Sequence, residues 1–496
     1  MTLTEKFLEG CEKFSDKTAI SDDRGSIKYS ALLVAAQRMS GLFKALGPGK
    51  NVGICLPSSK ECVASYFALL LNRQVPVFIN PLLSPQQVGY IVKDAALDTV
   101  VTVSYFEQLL GPMVKNCVYL DKMQPGQQAP STTTSQGPAG AASFETGEAG
   151  DTAAIFYTSG TSANPKGVVL SHKNILSNLE GCVGPFGFDE RDIFMGTLPL
   201  FHAFAFTVTM ALPMTFGARV IYMARFSGPK VLEHIENERV TFLVAVASMY
   251  RALLRSAQTS KCDTSSLRLA VTGGEPVPMD VVNSFKKRFN LPLLEGYGLT
   301  ECSPLVSVNS PDDYKYGTAG KPLSNIEVKI VDDNGSTLPT GQDGEIWVKG
   351  PNIMKGYLNQ PELTRETVTP DGWFKTGDYG RLDEDGFLKI TGRKKELIII
   401  SGENVSPVEI EDILSHNPKV FEVAVIGVPD KVRGEVPKAY IVPHDGQQVT
   451  EDELKQFCHD KLQHYKIPRY FEFHKELPHG PTGKILKRAL PTSGPA

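Results

Sequence analysis

Several short stretches carry side chains able to handle phosphate, ribose and carboxylate. Thr158, Ser159, Gly160, Thr161 and Ser162 cluster hydroxyls and backbone N–H groups, and Lys166 adds a cation within the same turn. Such nests of donors cradle phosphate oxygens. The stretch is not a Walker loop. Started at Gly160, that pattern needs glycine at Pro165 and a hydroxyl at Gly167, and both fail. Further along, Gly274, Glu275 and Pro276 form a Gly-rich turn after an apolar run. In "YGLTE", Tyr297 and Gly298 offer a ring beside a small-residue turn, and Thr300 and Glu301 offer oxygen ligands. Asp378 in "TGD" could accept hydrogen bonds from a ribose diol, and Arg393 in "GRKK" could pair with phosphate. Lys484 follows the turn in "GPTGKILKR". Each has a plain structural reading: a polar turn, a buried tyrosine, a surface ion pair, a solvated basic tail.

The elements that must hold these residues alternate between strand and helix. A helical period runs over residues 27–45. Apolar strand-like runs follow in "NVGICLP", "VPVFIN" and "DTVVTVS", with a helix through "SYFALLLN". The pattern resumes with "TAAIFYT", "GVVLSH", a helix from Asn174, "RVIYM", "FLVAVA", "LRLAVTGGEPV", the helix "MDVVNSFKKRF" and the strand "LPLLEGYG". This alternation predicts an α/β fold with mostly parallel, covered sheets. Residues 123–150, rich in Gly, Pro, Ser, Thr and Gln, read as a flexible loop. After about Gly317, Asp-Gly and Asn-Gly turns mark a β-rich subdomain of hairpins. From about residue 394 a small α+β pattern begins. The expected division is a large unit over 1–393 and a small mobile unit over 394–496.

The totals bound the function. A chain of 496 residues, 41% hydrophobic and 21% charged, is globular and exceeds one ordinary core. A formal net charge of −4 gives no basic field for nucleic acid. Eight scattered cysteines without a C-x-x-C pair disfavour a zinc ribbon or redox dithiol, and fit reduced thiols in the cytoplasm. The start of the chain lacks a signal-peptide core. The uncharged run Ile193 to Ala218 is broken by prolines and threonines, so it reads as a buried strand–helix passage rather than a membrane span.

In their order, the phosphate loop, "GGEP", "YGLTE", "TGD", "GRKKE" and "PTGK" resemble the adenylate-forming (AMP-binding) superfamily, in particular acyl-CoA synthetases. The stretches "FHAFAFTVTMALPMTFGARV" and "GPNIMKGYL" look similar to fatty acid–CoA ligases. The resemblance implies an enzyme that joins a carboxylic acid to AMP, releases pyrophosphate, and passes the acyl group to CoA or to an acyl carrier protein. It implies ATP and Mg²⁺. It assigns Thr158 to Lys166 to the β- and γ-phosphates, and Gly274, Glu275, Pro276, Tyr297 and Gly298 to the adenine. Thr300 falls to the α-phosphate, Glu301 to Mg²⁺, Asp378 and Arg393 to the ribose, and Lys484 to the carboxylate and α-phosphate. It places a hinge at Lys395, and Ser401, Gly402 and Glu403 against CoA. Ala163 departs from the family's usual glycine; if that backbone needs φ > 0, alanine costs ~1–2 kcal/mol. No long insertion surrounds "TGDYGRLDEDG", which favours the full two-step reaction.

The stretch Leu198 to Ala218 has no Asp or Glu to partner an ammonium group, which disfavours an amino acid. His202, Phe204, Phe206, Val246, Ala247 and Val306 suggest an apolar acyl pocket, with His202 shaping or gating it. A fatty acid is the first expectation and a cinnamate- or benzoate-like acid the second. A rival of another class is a nucleotide-binding protein without transfer activity. A monomer or homodimer and a peripheral membrane contact are both compatible with the sequence.

Overall fold

The computed structural model describes residues 1–123, 146–158, 164–401, 403–479 and 485–492. Most of the expected loop at 123–150, the phosphate-loop residues Ser159 to Ala163, Gly402 and Lys484 lie outside the described residues.

Among those described, the strands assemble into four sheets. The first runs in the order Lys321–Pro322, Leu305–Val308, Leu294–Gly298, Leu269–Gly273, Phe242–Ala245, Ile193–Gly196, Arg219–Tyr222, Thr18–Asp22, Gly25–Lys28. Its central pairs are parallel and its edges antiparallel. The second runs Gly356–Tyr357, Lys166–Ser171, Thr152–Thr158, Val75–Phe78, Asn51–Ile54, Thr99–Thr102, Asn116–Tyr119. The third is the antiparallel set Glu327–Val331, Gly344–Lys349, Phe374–Leu382, Leu388–Arg393. The fourth is built from strands between Ile398 and Phe473, with the helices Pro407–Ser415 and Glu451–His459 nearby in sequence.

The central parallel strands Val75–Phe78, Thr99–Thr102, Phe242–Ala245 and Leu269–Gly273 are buried along their whole length, as continuous apolar runs require when both faces are covered. Helix starts follow local chemistry. Ser171 accepts from the N–H of Asn174 in a capping box, so the helix His172–Phe186 begins two residues before the expected Asn174. The helix expected from residue 27 begins instead at Tyr29, because Gly25–Lys28 pairs back on Thr18–Asp22 as an edge strand.

Between the two large sheets lies an aromatic core. The Phe206 ring centroid is 5.1 Å from Tyr66, 5.5 Å from Phe78 and 5.1 Å from Phe156. The passage Ile193 to Ala218 is indeed a buried strand followed by helical turns, with a π-helical turn at Thr207–Ala211. Among the described residues no helix is long and apolar enough to cross a membrane.

Candidate active site

The parallel strands of the first sheet bring their carboxyl ends to one edge, the usual ligand edge of an open α/β sheet. Gly273 sits opposite Gly296, Thr272 opposite Ala245, and Val244 opposite Gly196. The segments leaving that edge are those that carry the candidate residues: Leu198 to Phe204, Val246 and Ala247, Gly274 to Pro276, and Tyr297 with Gly298. Gly274 has φ of +86°, a left-handed conformation that glycine adopts without a Cβ penalty. A Cβ on Gly298 would lie 2.1 Å from the Pro304 carbonyl oxygen, so the chain can turn there only as glycine.

The second and third sheets supply the rest. Thr158 and Lys166 face each other as the last pair of an antiparallel hairpin, which puts the lysine at the mouth of the phosphate loop. The short strand Gly356–Tyr357 pairs with Val168 and Val169, and lays the Tyr357 ring 5.3 Å from the Lys166 ammonium. The Tyr357 hydroxyl donates to Glu301 Oε1 at 2.8 Å, and the Met354 N–H donates to the Glu301 carbonyl at 2.9 Å. Burial pushes the Glu301 carboxyl above the ordinary range, and Tyr357, Lys166 and Arg393 pull it back toward the charged form. In the third sheet Asp378 stands directly opposite Arg393, with Arg393 Nε 3.1 Å from Asp378 Oδ1. The Tyr297 hydroxyl donates to Asp378 Oδ2 at 2.6 Å, so first and third sheets are joined through the adenine and ribose candidates.

The turn after Glu301 is held by amide side chains. Asn178 Nδ2 donates to the Leu305 carbonyl at 2.7 Å, Asn352 Nδ2 to the Cys302 carbonyl at 2.8 Å, and Thr207 Oγ1 to the Ser303 carbonyl at 3.1 Å. Thr376 Oγ1 accepts from the Asp378 N–H at 3.0 Å and donates to the Ile346 carbonyl at 2.7 Å. None of these supports, nor Tyr357, carries a local signal; "GPNIMKGYL" pointed at the segment but not at the tyrosine's role.

The acyl-pocket candidates divide. Phe204 is half-buried, and a Cβ on Gly273 would lie 3.6 Å from its Cζ, so it stands at the ligand edge. Val246 and Ala247 begin the helix that leaves the neighbouring strand. The His202 ring is tilted against Phe201 with centroids 4.7 Å apart, its Nε2 has no hydrogen-bond partner among the described residues, and burial pushes its pKa down to about 4. The ring is therefore neutral at pH 7 and suits a wall better than a general acid. Phe206 and Val306 correct the expectation: neither has any accessible surface, so they line no open cavity and form the core behind the edge. Ser401 follows the strand Ile398–Ile400 with φ of +53°, and Glu403 begins the next strand of the fourth sheet, paired with Ile400. Lys395 is exposed in the turn Lys394–Glu396. Beside it, Lys394 is tied to Asp333 at 3.1 Å and Glu345 at 3.2 Å, which anchors the near side of that turn.

Two family models cover most of the chain. The AMP-binding enzyme model matches residues 7–358, and the AMP-binding enzyme C-terminal domain model matches 409–484. The chain belongs to the AMP-binding enzyme family. Among its relatives, this AMP-binding enzyme is 33% identical to a long-chain-fatty-acid–CoA ligase of Escherichia coli O6:H1, covering 99% of this chain and 94% of that one. It is similar to the solved structure of o-succinylbenzoate CoA synthetase from Bacillus subtilis in complex with an acyl-adenylate intermediate, at 30% identity and TM-score 0.87, covering 98% and 97% of the two chains. ATP-bound MatB from Rhodopseudomonas palustris matches at 30% identity and TM-score 0.88, covering 98% of each chain.

One prediction arises from the Glu301 environment. Tyr357 hydrogen-bonds to the charged carboxylate and so lowers its pKa; Tyr357→Phe should raise it. Activity that needs the carboxylate is lost as pH falls, so the acid limb of the pH–rate profile should move to higher pH. The turnover at pH 8 should fall by about 10-fold, the lower end of the scale of one hydrogen bond to a charged group. An unmoved acid limb would separate Glu301 from the rate.

Proposed function

We propose that this AMP-binding enzyme activates a fatty acid with ATP and transfers the acyl group to CoA. The observation that carries this reading is the meeting of two clusters at one sheet edge. Lys166, Tyr357 and Glu301 make one cluster, to which this reading gives the triphosphate and its cation, and Tyr297, Asp378 and Arg393 make the other, to which it gives the purine and ribose. In the first step the acid's carboxylate oxygen attacks the α-phosphorus, and the bond to the pyrophosphate oxygen breaks. Both reactants are anions, so catalysis requires fixed cations and donors at the developing charge. Lys166 and Thr158 hold the leaving pyrophosphate, Thr300 meets the α-phosphate, and Lys484 bridges it to the carboxylate. In the second step the CoA sulfur attacks the acyl carbon and the bond to AMP breaks, with Ser401, Gly402 and Glu403 against the thiol arm. No side-chain nucleophile is needed, because positioning supplies the rate.

The residues fit a Mg²⁺ ion. Glu301 offers a buried carboxylate whose side-chain hydrogen bond occupies Oε1, and the described residues contain no cluster of three or more His, Cys, Asp or Glu that would form an all-protein cage. A hard cation held by one carboxylate plus substrate phosphates matches that donor set, and would neutralise phosphate charge there.

The acid is assigned from the uncharged walls. Leu198 to Ala218 brings no carboxylate to the edge, and Phe204, Val246, Ala247 and a neutral His202 offer an apolar face to a chain. The test is pyrophosphate and AMP release with a panel of aliphatic and aromatic acids, with and without CoA. Aliphatic acids of increasing length should raise kcat/KM. AMP release only with aromatic acids would move the substrate to that class, ADP release would indicate phosphoryl transfer, and no nucleotide product with any acid would overturn the reading.

A further inference from the structure

Glu301 and the turn after it are held by one distant segment. The Met354 N–H donates to the Glu301 carbonyl at 2.9 Å, and the Tyr357 hydroxyl donates to Glu301 Oε1 at 2.8 Å. The next two residues are tied to Asn352. The Cys302 carbonyl, at the end of the turn Thr300–Cys302, accepts from Asn352 Nδ2 at 2.8 Å, and the Ser303 hydroxyl donates to the Asn352 carbonyl at 2.8 Å. The segment is itself anchored. Asn174 Nδ2 donates to the Pro351 and Ile353 carbonyls at 2.9 and 2.7 Å, and the Lys355 N–H donates to the Val169 carbonyl at 2.9 Å. Val169 lies on the strand Lys166–Ser171, so the segment ties the turn of Glu301 to the strand of Lys166.

Asn352 holds the turn at a cost. It has no accessible surface, and its Oδ1 has no hydrogen-bond partner among the described residues. A Cβ on Gly350 would lie 2.7 Å from that oxygen, so the Gly350 backbone closes that side. Burying an amide oxygen without a partner is unfavourable, and an apolar side chain in the same space would avoid the penalty. What asparagine adds is its amide donor, and the Cys302 carbonyl fixes its direction: turned over, the amide would set oxygen against oxygen. Asn178 is the contrast. Its Nδ2 donates to the Leu305 carbonyl at 2.7 Å and its Oδ1 accepts the Leu305 N–H at 3.2 Å, so its amide is paired at both ends, and it reaches the Cys302 carbonyl only at 3.4 Å.

We propose that Asn352 is a positioning residue for Glu301: by fixing the Cys302 carbonyl and the Ser303 hydroxyl it holds the turn so that the Glu301 carboxylate meets a Mg²⁺ ion on the substrate phosphates in one orientation. The inference rests on the role proposed above for Glu301. Mg²⁺ tolerates little departure from octahedral geometry, so a loosened turn weakens what the cation adds to nucleotide binding and leaves the metal-free nucleotide contacts alone.

The experiment uses the full-length enzyme and calorimetric binding of an ATP analogue with a methylene bridge between the α- and β-phosphorus, measured with excess Mg²⁺ and with EDTA. The ratio of the two Kd values is the gain from the cation. Asn352→Leu should abolish that gain or lower it by on the order of 10-fold, with the metal-free Kd within about 2-fold of wild type. Ser303→Ala, which removes only the hydroxyl on the Asn352 carbonyl, should lower the gain by about 3-fold with the same selectivity. Equal weakening with and without Mg²⁺ by Asn352→Leu would make the residue merely structural and overturn the proposal, as would an unchanged gain. Should Asn352→Leu not fold, Ser303→Ala decides: a selective loss supports the positioning role, and an unchanged gain or equal weakening overturns it. Glu301→Gln is the reference. If it keeps the wild-type gain, the role of Glu301 itself fails and the inference with it; if it abolishes the gain while both other variants keep it, only the positioning by Asn352 fails.

Discussion

Lys484→Ala is expected to lower acyl-AMP formation by about 100- to 1,000-fold, the scale seen when one preorganised charge-stabilising donor is removed. The physical reason is the encounter of two anions. The carboxylate must approach a phosphorus whose oxygens are already negative, and charge grows on the departing pyrophosphate. Lys166, paired with Thr158 at the end of its hairpin, is the cation proposed for the leaving-group side of that charge. A cation between the carboxylate and the α-phosphate is a different requirement, and Lys484 is the residue that the family pattern assigns to it. The loss should fall on kcat, because the interaction strengthens as the bond forms. Preformed acyl-AMP should still react with CoA at close to the normal rate, since by then the α-phosphate has been attacked. Single-turnover measurement of each step checks both statements; equal losses would remove the assignment of Lys484 to the first step.

Asp378→Ala is the second large effect, and it should appear in ATP binding. Asp378 is buried and collects three partners: the Tyr297 hydroxyl at 2.6 Å, Arg393 Nε at 3.1 Å, and Thr376, whose hydroxyl accepts the Asp378 N–H. A ribose diol would donate to this carboxylate, and hydrogen bonds to a charged acceptor contribute about 1.5–3 kcal/mol, equivalent to about 10- to 150-fold in affinity. Removal also takes away the acceptor of the Tyr297 hydroxyl across the two sheets and the carboxylate paired with the Arg393 guanidinium. The KM for ATP should therefore rise by on the order of 100-fold, while the KM for the acid stays within about 3-fold. Asp378→Asn, which keeps an acceptor oxygen, should fall between. An unchanged ATP KM in both variants would take the ribose from this carboxylate.

Much of the candidate site is legible in the sequence. Strand–helix alternation predicted parallel sheets, and the ordered motifs assigned most of the residues that meet at the ligand edge. The pairing of Asp378 with Arg393 could be anticipated from two segments flanking one hairpin, because a hairpin sets its own register. The supports could not be anticipated. Tyr357 reaches Glu301 from 56 residues away, and Asn178 reaches Leu305 from 127. Each lies on an element whose local pattern says only strand or helix.

Sequence alone determined the kinds of elements, the chemistry available in each turn, and the family. Those follow from local periodicity, turn residues and motif order, all written within a few residues of one another. Tertiary structure alone decided which side chains face the edge and which face the core. Phe204 and Phe206 are two residues apart in "AFAF" and equally apolar, yet one stands beside Gly273 at the ligand edge and the other closes the aromatic core with Tyr66, Phe78 and Phe156. A step of two on a helix turns a side chain through about 200°, so neighbours of the same type take opposite faces. Which face is inside depends on how the two large sheets stack against that helix, and that is set by strand order rather than by any local run of residues.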